Sequence, residues 1–261
     1  MGSDLRWDKG QFANKSLPVT KYTSIAGSGG MPGIIFSGGA SGSTPDFGLG
    51  GASANNWQVG LNPNIDIFAT NHNQVPTSYT VLSASANANS LENKMVNPPN
   101  LNNILLHKVN EVEGNLTINA DYTFPTGSSM VLVHGDIYIN ANITVPTGST
   151  AVISASGDIT VAANVTNIQG VYSAGSDFII ETNSKCPGIP DASALNVAGT
   201  VVANAEVRQV GHTDGTFINK RTFCPLGNTV PSVIFTERPD FIVNYPTMVQ
   251  QTFRFWQEIA P

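Results

Sequence analysis

The chain has 261 residues, of which only 11% are charged, whereas an average soluble domain has about 25%. Its net charge is −6 and its 12 Lys and Arg residues are widely scattered, so no nucleic-acid or anionic-membrane partner is predicted. The scarcity of Glu, Lys and Arg excludes a coiled coil or helical bundle. The 41% of hydrophobic residues suffice for a core, yet no apolar run is long enough to span a membrane.

Residues 1–99 are predicted to form an irregular region rich in Gly, Ser and Asn. Runs such as Ala26–Gly30 and Gly38–Ser43 are typical of loops. Apolar residues such as Trp7, Trp57 and Ile65 nevertheless make this region too hydrophobic for a free tail. We expect irregular structure with a few strands, packed along the flank of the region that follows, or else a separate module.

A short capping helix is predicted at the start of the central region, 100–246. Asn100 is a suitable N-cap residue, and the apolar residues after it recur at helical spacing: Leu101, Ile104, Leu105 and Val109. Because uncovered strand edges recruit other chains, this helix would protect the first turn of the repeat that follows.

An internal repeat is the strongest signal in the sequence. Its glycines are 21 and 22 residues apart, and each precedes Asn or Asp and then alternating apolar residues: Gly114–Ile118, Gly135–Ile139 and Gly157–Val161. Two further segments complete each unit: Tyr122–Gly127 with Met130–Val133, then Ile143–Gly148 with Ala151–Ser154. Looser copies of the glycine segment are assigned to Gly175–Ile180 and Gly199–Ala203.

Three short strands per unit predict an all-β fold, namely a right-handed parallel β-helix with three faces and roughly six rungs of about 21 residues. Two inward columns are then expected, one of Leu116, Ile137 and Ile159 and one of Ile118, Ile139 and Val161. The alternative, an antiparallel sandwich, predicts Asn-Gly or Asp-Gly hairpin turns, and none lies between the strands from 114 to 161.

The Asn and Asp residues after the repeat glycines would form one column at a corner of the stack: Asn115, Asp136, Asp158 and Asp177. Such side chains commonly bond the backbone of their own turn. Alternatively, Asp136, Asp158 and Asp177 could bind calcium, which takes six to eight oxygen ligands. No other metal or cofactor is predicted.

The two cysteines, Cys186 and Cys224, fit no metal-binding spacing. They could remain free and partly buried, or they could form a disulfide in an exported protein. Because the composition is typical of an extracellular chain, we expect the disulfide.

The weak catalytic candidates are His212 and Asp214, in the segment Gly211–Asp214. This segment resembles the histidine motif of galacturonan hydrolases, which act with clustered carboxylates. However, neither the neighbouring Asp-Asp pair nor the basic pair follows in the expected form. A polar loop is the simpler interpretation, so no enzymatic activity is predicted.

Residues 247–261 are predicted to form an aromatic cap on the last rung. This cap would contain Trp256 and Phe255, with Tyr245 just before it. A hydrophobic plug is the first interpretation, and an exposed platform on which sugars stack is the second.

Two segments near the carboxyl end carry a resemblance: Val233–Pro246 and Trp256–Pro261. With the Gly-Asp-Ile turns, they resemble a group of uncharacterised surface proteins of uncultivated bacteria. Those proteins have a membrane anchor or pilin-like start, a Gly/Ser-rich stretch, a β-solenoid and a Trp-Gln-Glu type ending. The resemblance implies an extracellular or cell-surface β-solenoid with an anchor preceding this sequence, and it implies no catalytic residues.

The leading functional hypothesis is a non-enzymatic surface β-solenoid that acts as a stalk, an adhesin or an appendage component. Its partners would be cell-surface glycans or other surface proteins. A second hypothesis is a polysaccharide-binding or polysaccharide-degrading β-helix. A third, ice binding, needs regular outward Thr ladders, and Tyr138 interrupts the series of Thr117 and Thr160.

Overall fold

The fold is all-β, as the sequence predicts: strands dominate and helices are few. A computed structural model of the chain describes residues 23–25, 34–37, 52–54, 77–89, 92–95, 101–106, 108–185, 189, 191–203, 205–206, 215, 217–223, 231–236 and 238–246. Within these ranges, no helix has both the length and the apolar character needed to cross a bilayer.

The strands form three sheets, and within each sheet every strand pair of the described residues is parallel. The large sheet has the spatial order β4 (Glu92–Met95), β5 (Val109–Glu113), β8 (Ser128–His134), β11 (Thr150–Ala155), β13 (Asn167–Ala174), β15 (Leu195–Ala203), β17 (Val233–Thr236), β1 (Thr23–Ile25) and β3 (Ala52–Ala54), with β2 (Ile34–Ser37) also paired to β15. The narrow sheet has the order β6 (Leu116–Ile118), β9 (Ile137–Ile139), β12 (Ile159–Val161), β14 (Phe178–Ile180) and β16 (Phe217–Asn219). The third sheet pairs β7 (Tyr122–Thr123) with β10 (Ile143–Thr144).

Both predicted inward columns are confirmed in the narrow sheet. The first column is Leu116, Ile137, Ile159, Phe178 and Phe217, which stand opposite one another on successive strands and are 1% exposed or less. The second column is Ile118, Ile139, Val161 and Ile180, each 5% exposed or less. The glycine repeat with its alternating apolar residues therefore sets the register of this sheet.

One detail of the predicted repeat is wrong. The segment Gly199–Ala203 lies in the large sheet, where Gly199 stands opposite Gly170, and the next strand of the narrow sheet is β16, where Phe217 stands opposite Phe178. In the large sheet Met130 stands opposite Val152, which is 22 residues later, whereas Leu116 and Ile137 of the narrow sheet are 21 residues apart. The extra residue is accommodated at the turn, where the Oγ of buried Ser149 accepts a hydrogen bond from the Gly127 N–H at 3.0 Å.

Aromatic rings fill one end of the core. The rings of Phe178 and Phe217 stack with their centroids 6.0 Å apart, and Tyr172 and Phe235 contact this pair edge-on. All four side chains are fully buried. Because burial of one such ring contributes about 1.5–3 kcal/mol, this end of the core depends on few, large side chains.

The capping helix predicted between Asn100 and Val109 is absent. A 3-10 helix covers Leu101–Asn103, and Val109 already begins β5. The reason is the fully buried Asn110, whose Oδ1 accepts from the Leu105 N–H at 2.9 Å and whose Nδ2 donates to the Leu105 carbonyl at 3.1 Å. These side-chain bonds take the place of the helical backbone bonds.

A helix that the sequence reasoning missed, α1 (Tyr79–Asn89), packs against β8 of the large sheet. Buried Leu82 and Ala86 belong to the same hydrophobic cluster as the sheet. At the first turn of the helix, the Glu206 carboxylate accepts from the Thr80 N–H at 2.9 Å and from its hydroxyl at 2.6 Å. A carboxylate at this position satisfies a free helix N–H and stabilises the helix dipole.

Replacing Asn110 by Ala is expected to lower the free energy of unfolding by about 2–3 kcal/mol, because buried backbone groups lose their partners. Besides the Leu105 bonds, Nδ2 also donates to the Met130 carbonyl at 2.9 Å. Urea denaturation would measure the loss. The control is Asn103→Ala at an exposed position of the 3-10 helix, and equal effects of the two substitutions would contradict the role given to Asn110.

Candidate functional site

A ladder of hydrogen bonds links the corners that follow the repeat glycines, and it is called the corner ladder below. Asn115 Oδ1 accepts from the Asp136 N–H at 2.9 Å, and Asp136 Oδ1 accepts from the Asp158 N–H at 3.0 Å. Asp158 Oδ1 in turn accepts from the Asp177 N–H at 2.9 Å. Each side chain thus bonds the backbone of the next turn, and the expectation that it bonds its own turn is corrected.

The repeat glycines are part of the same arrangement. A Cβ placed on Gly135 would lie 2.6 Å from Asn115 Oδ1, and one placed on Gly157 would overlap Asp136 Oδ1. Glycine is therefore required where the side chain of the preceding turn approaches the backbone. The Gly-Asp pair in the sequence reflects one interaction between neighbouring turns.

A second corner uses the same kind of bond. Asp121 Oδ1 accepts from the Asn142 N–H at 2.9 Å, and Asn142 Oδ1 accepts from the Thr166 and Asn167 N–H groups at 3.0 Å each. Because Asn and Asp alternate freely in these positions, the shared requirement is a side-chain oxygen and not a negative charge.

The structure assigns no metal ligand set to the corner ladder. Over the described part of the chain, no three His, Cys, Asp or Glu side chains are grouped so that they could hold a metal ion. Calcium binding by Asp136, Asp158 and Asp177 stays a prediction. The Oδ1 atoms of Asp136 and Asp158 each accept one backbone hydrogen bond.

The outward positions of the narrow sheet form a surface column, called the outer strip below. Its members follow the strand order from β6 to β16: Thr117, Tyr138, Thr160, Ile179 and Ile218. Each stands between two buried residues of its strand. Thr occupies two of the five positions, so a regular Thr ladder is absent from this described column.

Tyr138 is the exposed aromatic residue of the outer strip, with 38% of its surface accessible. Its hydroxyl donates to Asp136 Oδ2 at 3.3 Å. The negative charge of Asp136 is the main cause that raises the pKa of Tyr138, and Asp158 adds to it. The phenol is therefore neutral at physiological pH, and its ring offers an uncharged face.

The segment that carries the resemblance, Val233–Pro246, holds the end of the described chain on the sheets. Its part from Arg238 to Pro246 is called the C-terminal clasp and contains α2 (Pro239–Val243). Arg238 donates to both carboxylate oxygens of Asp240, at 2.8 and 2.7 Å. Asp240 Oδ2 also accepts from the Gly148 N–H at 3.0 Å, so the pair reaches a turn 92 residues earlier.

Phe241 anchors the C-terminal clasp. It is 2% exposed, and the Arg238 guanidinium lies 4.4 Å from its ring centroid. A Cβ on Gly199 would lie 2.9 Å from the Phe241 ring, so glycine leaves the space that the ring fills. The clasp is a packing element, and its polar atoms bind other parts of the same chain.

Of the predicted aromatic binding residues, Tyr245 packs partly buried against the hydrophobic core. Burial raises the pKa of Tyr245 to about 12. This position fits the hydrophobic-plug interpretation. Trp256, Phe255, His212, Asp214, Cys186 and Cys224 lie outside the described residues, so the roles predicted for them stay predictions.

Arg221 is a residue whose role the sequence reasoning missed. It is fully buried, and its guanidinium donates to the carbonyls of Val165 at 2.9 Å, Ala162 at 3.1 Å and Ser193 at 3.3 Å. Burial lowers the pKa of Arg221, and nearby Asp191 opposes that shift. The side chain links loops that are distant in sequence, so no local sequence pattern could predict its role.

Replacing Asp136 by Ala is expected to lower the free energy of unfolding by about 1–2 kcal/mol, because the Asp158 N–H loses its acceptor. Replacing it by Asn keeps the oxygen, as Asn115 does in the turn before, and should change stability by about 0.5 kcal/mol or less. Urea denaturation compares the two variants.

Equal losses for the Ala and Asn variants would show that charge, and not the oxygen, is required at Asp136. If calcium raised the Tm of the unmodified chain and Asp136→Asn abolished that rise, the calcium interpretation would gain support.

The ion pair of the C-terminal clasp should make the free energy of unfolding depend on pH in the acidic range. The hydrogen bond from Arg238 is the main cause that lowers the pKa of Asp240, and the Gly148 N–H contributes. This stabilisation is fully present above the unfolded carboxyl pKa of about 3.9. It is lost as pH falls through the lower pKa of the folded state.

Asp240→Asn should therefore be less stable than the unmodified chain at neutral pH, and the difference should vanish in acid. Urea denaturation from neutral pH down to about pH 2 measures both curves. Arg238→Ala should remove the same acid dependence. Curves that stay parallel throughout would contradict this role for the pair.

The polar contacts described above hold turns, loops and the C-terminal clasp together. Comparisons of the chain with protein-family models, with curated proteins and with solved structures found no match.

Proposed function

We propose that this chain is a right-handed parallel β-helix that serves as a non-enzymatic structural or adhesion protein at the cell surface or outside the cell. The parallel pairing of turns 21 or 22 residues apart supports the β-helix, as do the three sheets. The shared core of the large and narrow sheets supports it further. In this architecture each turn buries its apolar face against its neighbours.

The corner ladder is the observation that carries the non-enzymatic part of the proposal. Asn115, Asp136 and Asp158 each direct one side-chain oxygen to the backbone of the next turn. Carboxylates that act in catalysis need free access to a substrate at hydrogen-bond distance. Here the repeated acidic residues maintain the stack instead.

Composition and the resemblance support the proposed location. Low charge with abundant Gly, Ser, Thr and Asn is the composition expected for repeated solvent-exposed corners. The bacterial surface β-solenoid proteins that this chain resembles have a membrane anchor or pilin-like start, which is consistent with display at the surface. Surface display makes other surface proteins or glycans the natural class of partner.

The polysaccharide-degrading alternative depends on His212 and Asp214, and no observation on the described residues adds a catalytic candidate to these two. Ice binding would need a repeated outward Thr column, and Tyr138, Ile179 and Ile218 occupy three of the five positions of the outer strip.

The proposal is tested by activity and by location. The purified chain is incubated with acidic and neutral polysaccharides, and the release of reducing ends is measured. Intact cells that produce the natural protein are labelled with an antibody before and after treatment with protease. We expect no turnover, and labelling that protease removes.

Turnover that is lost in His212→Ala or Asp214→Ala would overturn the non-enzymatic assignment. The matched control is His134→Ala, at an exposed position of β8, which should change neither measurement. Failure to label intact cells, together with absence of the protein from the culture medium, would overturn the proposed location.

A further inference from the structure

We propose that the outer strip binds a neutral polysaccharide chain, with Tyr138 as the residue on which a sugar ring stacks. This inference rests on the proposed function, because it names the partner class of an adhesion surface. It differs from the earlier hypothesis of a sugar platform near Tyr245, since it uses the face of the narrow sheet.

The strip has the dimensions of a linear polymer site. Its five positions stand in register on adjacent strands, and parallel strands are about 4.8 Å apart. The column therefore extends for about 20 Å across the strands, and a rigid sheet holds it in place. Several consecutive sugar units fit along such a column.

The chemistry of the strip suits a sugar ring. An exposed aromatic face packs against the C–H groups of a sugar, and hydroxyl groups beside it can bond the sugar hydroxyls. Thr117 and Thr160 supply hydroxyls directly on either side of Tyr138. The hydrogen bond between the Tyr138 hydroxyl and Asp136 Oδ2 favours one orientation of the ring before any ligand arrives.

The charge of the surroundings selects against acidic polymers. Two acidic side chains of the corner ladder lie on one side of the strip, because Asp136 directly precedes β9 and Asp158 directly precedes β12. On the other side, the Lys220 ammonium lies 2.7 Å from the Glu181 carboxylate and is compensated by it. A uronate or sulfate group would therefore meet net repulsion, whereas a neutral chain meets hydrogen-bond acceptors.

The test uses the full chain and named probes: soluble neutral galactomannan and xyloglucan, chitin powder, and polygalacturonate as the acidic polymer. Affinity electrophoresis and pull-down measure binding. Tyr138→Ala should weaken binding to at least one neutral probe about tenfold or more, because it removes the stacking ring. Tyr138→Phe, which keeps the ring, should retain most of the binding. Val243→Ala, at an apolar position that is 80% exposed in the C-terminal clasp, is the matched control.

A second variant separates neutral from cationic ligands. Asp158→Asn removes one of the charges beside the strip and keeps the side-chain oxygen that the corner ladder uses. Binding of the neutral probe should persist in this variant within about threefold. Loss of binding would show that the strip recognises a cation and would overturn the proposal.

Absence of binding to every neutral probe, or equal effects of Tyr138→Ala and Val243→Ala, would also overturn it. None of these results measures turnover or location, so the proposed function can stand while this inference fails. A thermal melt confirms that each variant remains folded.

Discussion

The hydrogen bond from a corner amide to the side-chain oxygen of the preceding turn is the interaction on which the rest of this molecule depends. It fixes how far each turn is displaced from the last, because Asp136 can accept from Asp158 only in one register. That register aligns Leu116 with Ile137 and Ile159 inside and Thr117 with Tyr138 and Thr160 outside. The buried apolar columns then stabilise the register that the hydrogen bonds at the corner select.

The same interaction explains the unusual composition. In a stack of repeated turns, identical side chains lie about one strand spacing apart, and two exposed unit charges at that distance repel by about 1 kcal/mol in water. Asn, Ser and Thr avoid this repulsion and still provide oxygen atoms. The Asp residues that do occur at the corner are partly compensated by the backbone amides they bind. The low content of charged residues is thus a consequence of a stack in which equivalent positions of successive turns lie next to one another.

The sequence predicts the first four strands of the narrow sheet well, since Gly, Asx and apolar residues occur together before each of them, whereas β16 follows Gly215 and Thr216 without an Asx residue and was missed. It fails where one part of that signal stands alone. Gly199 has no Asp after it, and it belongs to another sheet. The helical spacing after Asn100 predicts a helix, but the hydrogen bonds of buried Asn110 prevent it. Arg221 and Arg238 act through hydrogen bonds to residues that are distant in the chain. Those contacts depend on tertiary structure. The members of the outer strip could be predicted from the alternation of apolar residues within each strand, but the exposed fraction of their side chains could not.

The strand order of the large sheet has a consequence for biosynthesis. Thr23 stands opposite Ala52 on one side and Val233 on the other, so one edge of β1 can pair early with β3, whereas the other edge finds its partner only after about 200 further residues have been made. The turns between can assemble through neighbours about 21 residues away, while the edge of β1 that later pairs with β17 stays unpaired until β17 has been made. Closing such a distant contact late is slow relative to local pairing. Completion of this edge is therefore the step at which a newly made chain is most vulnerable to association with other chains.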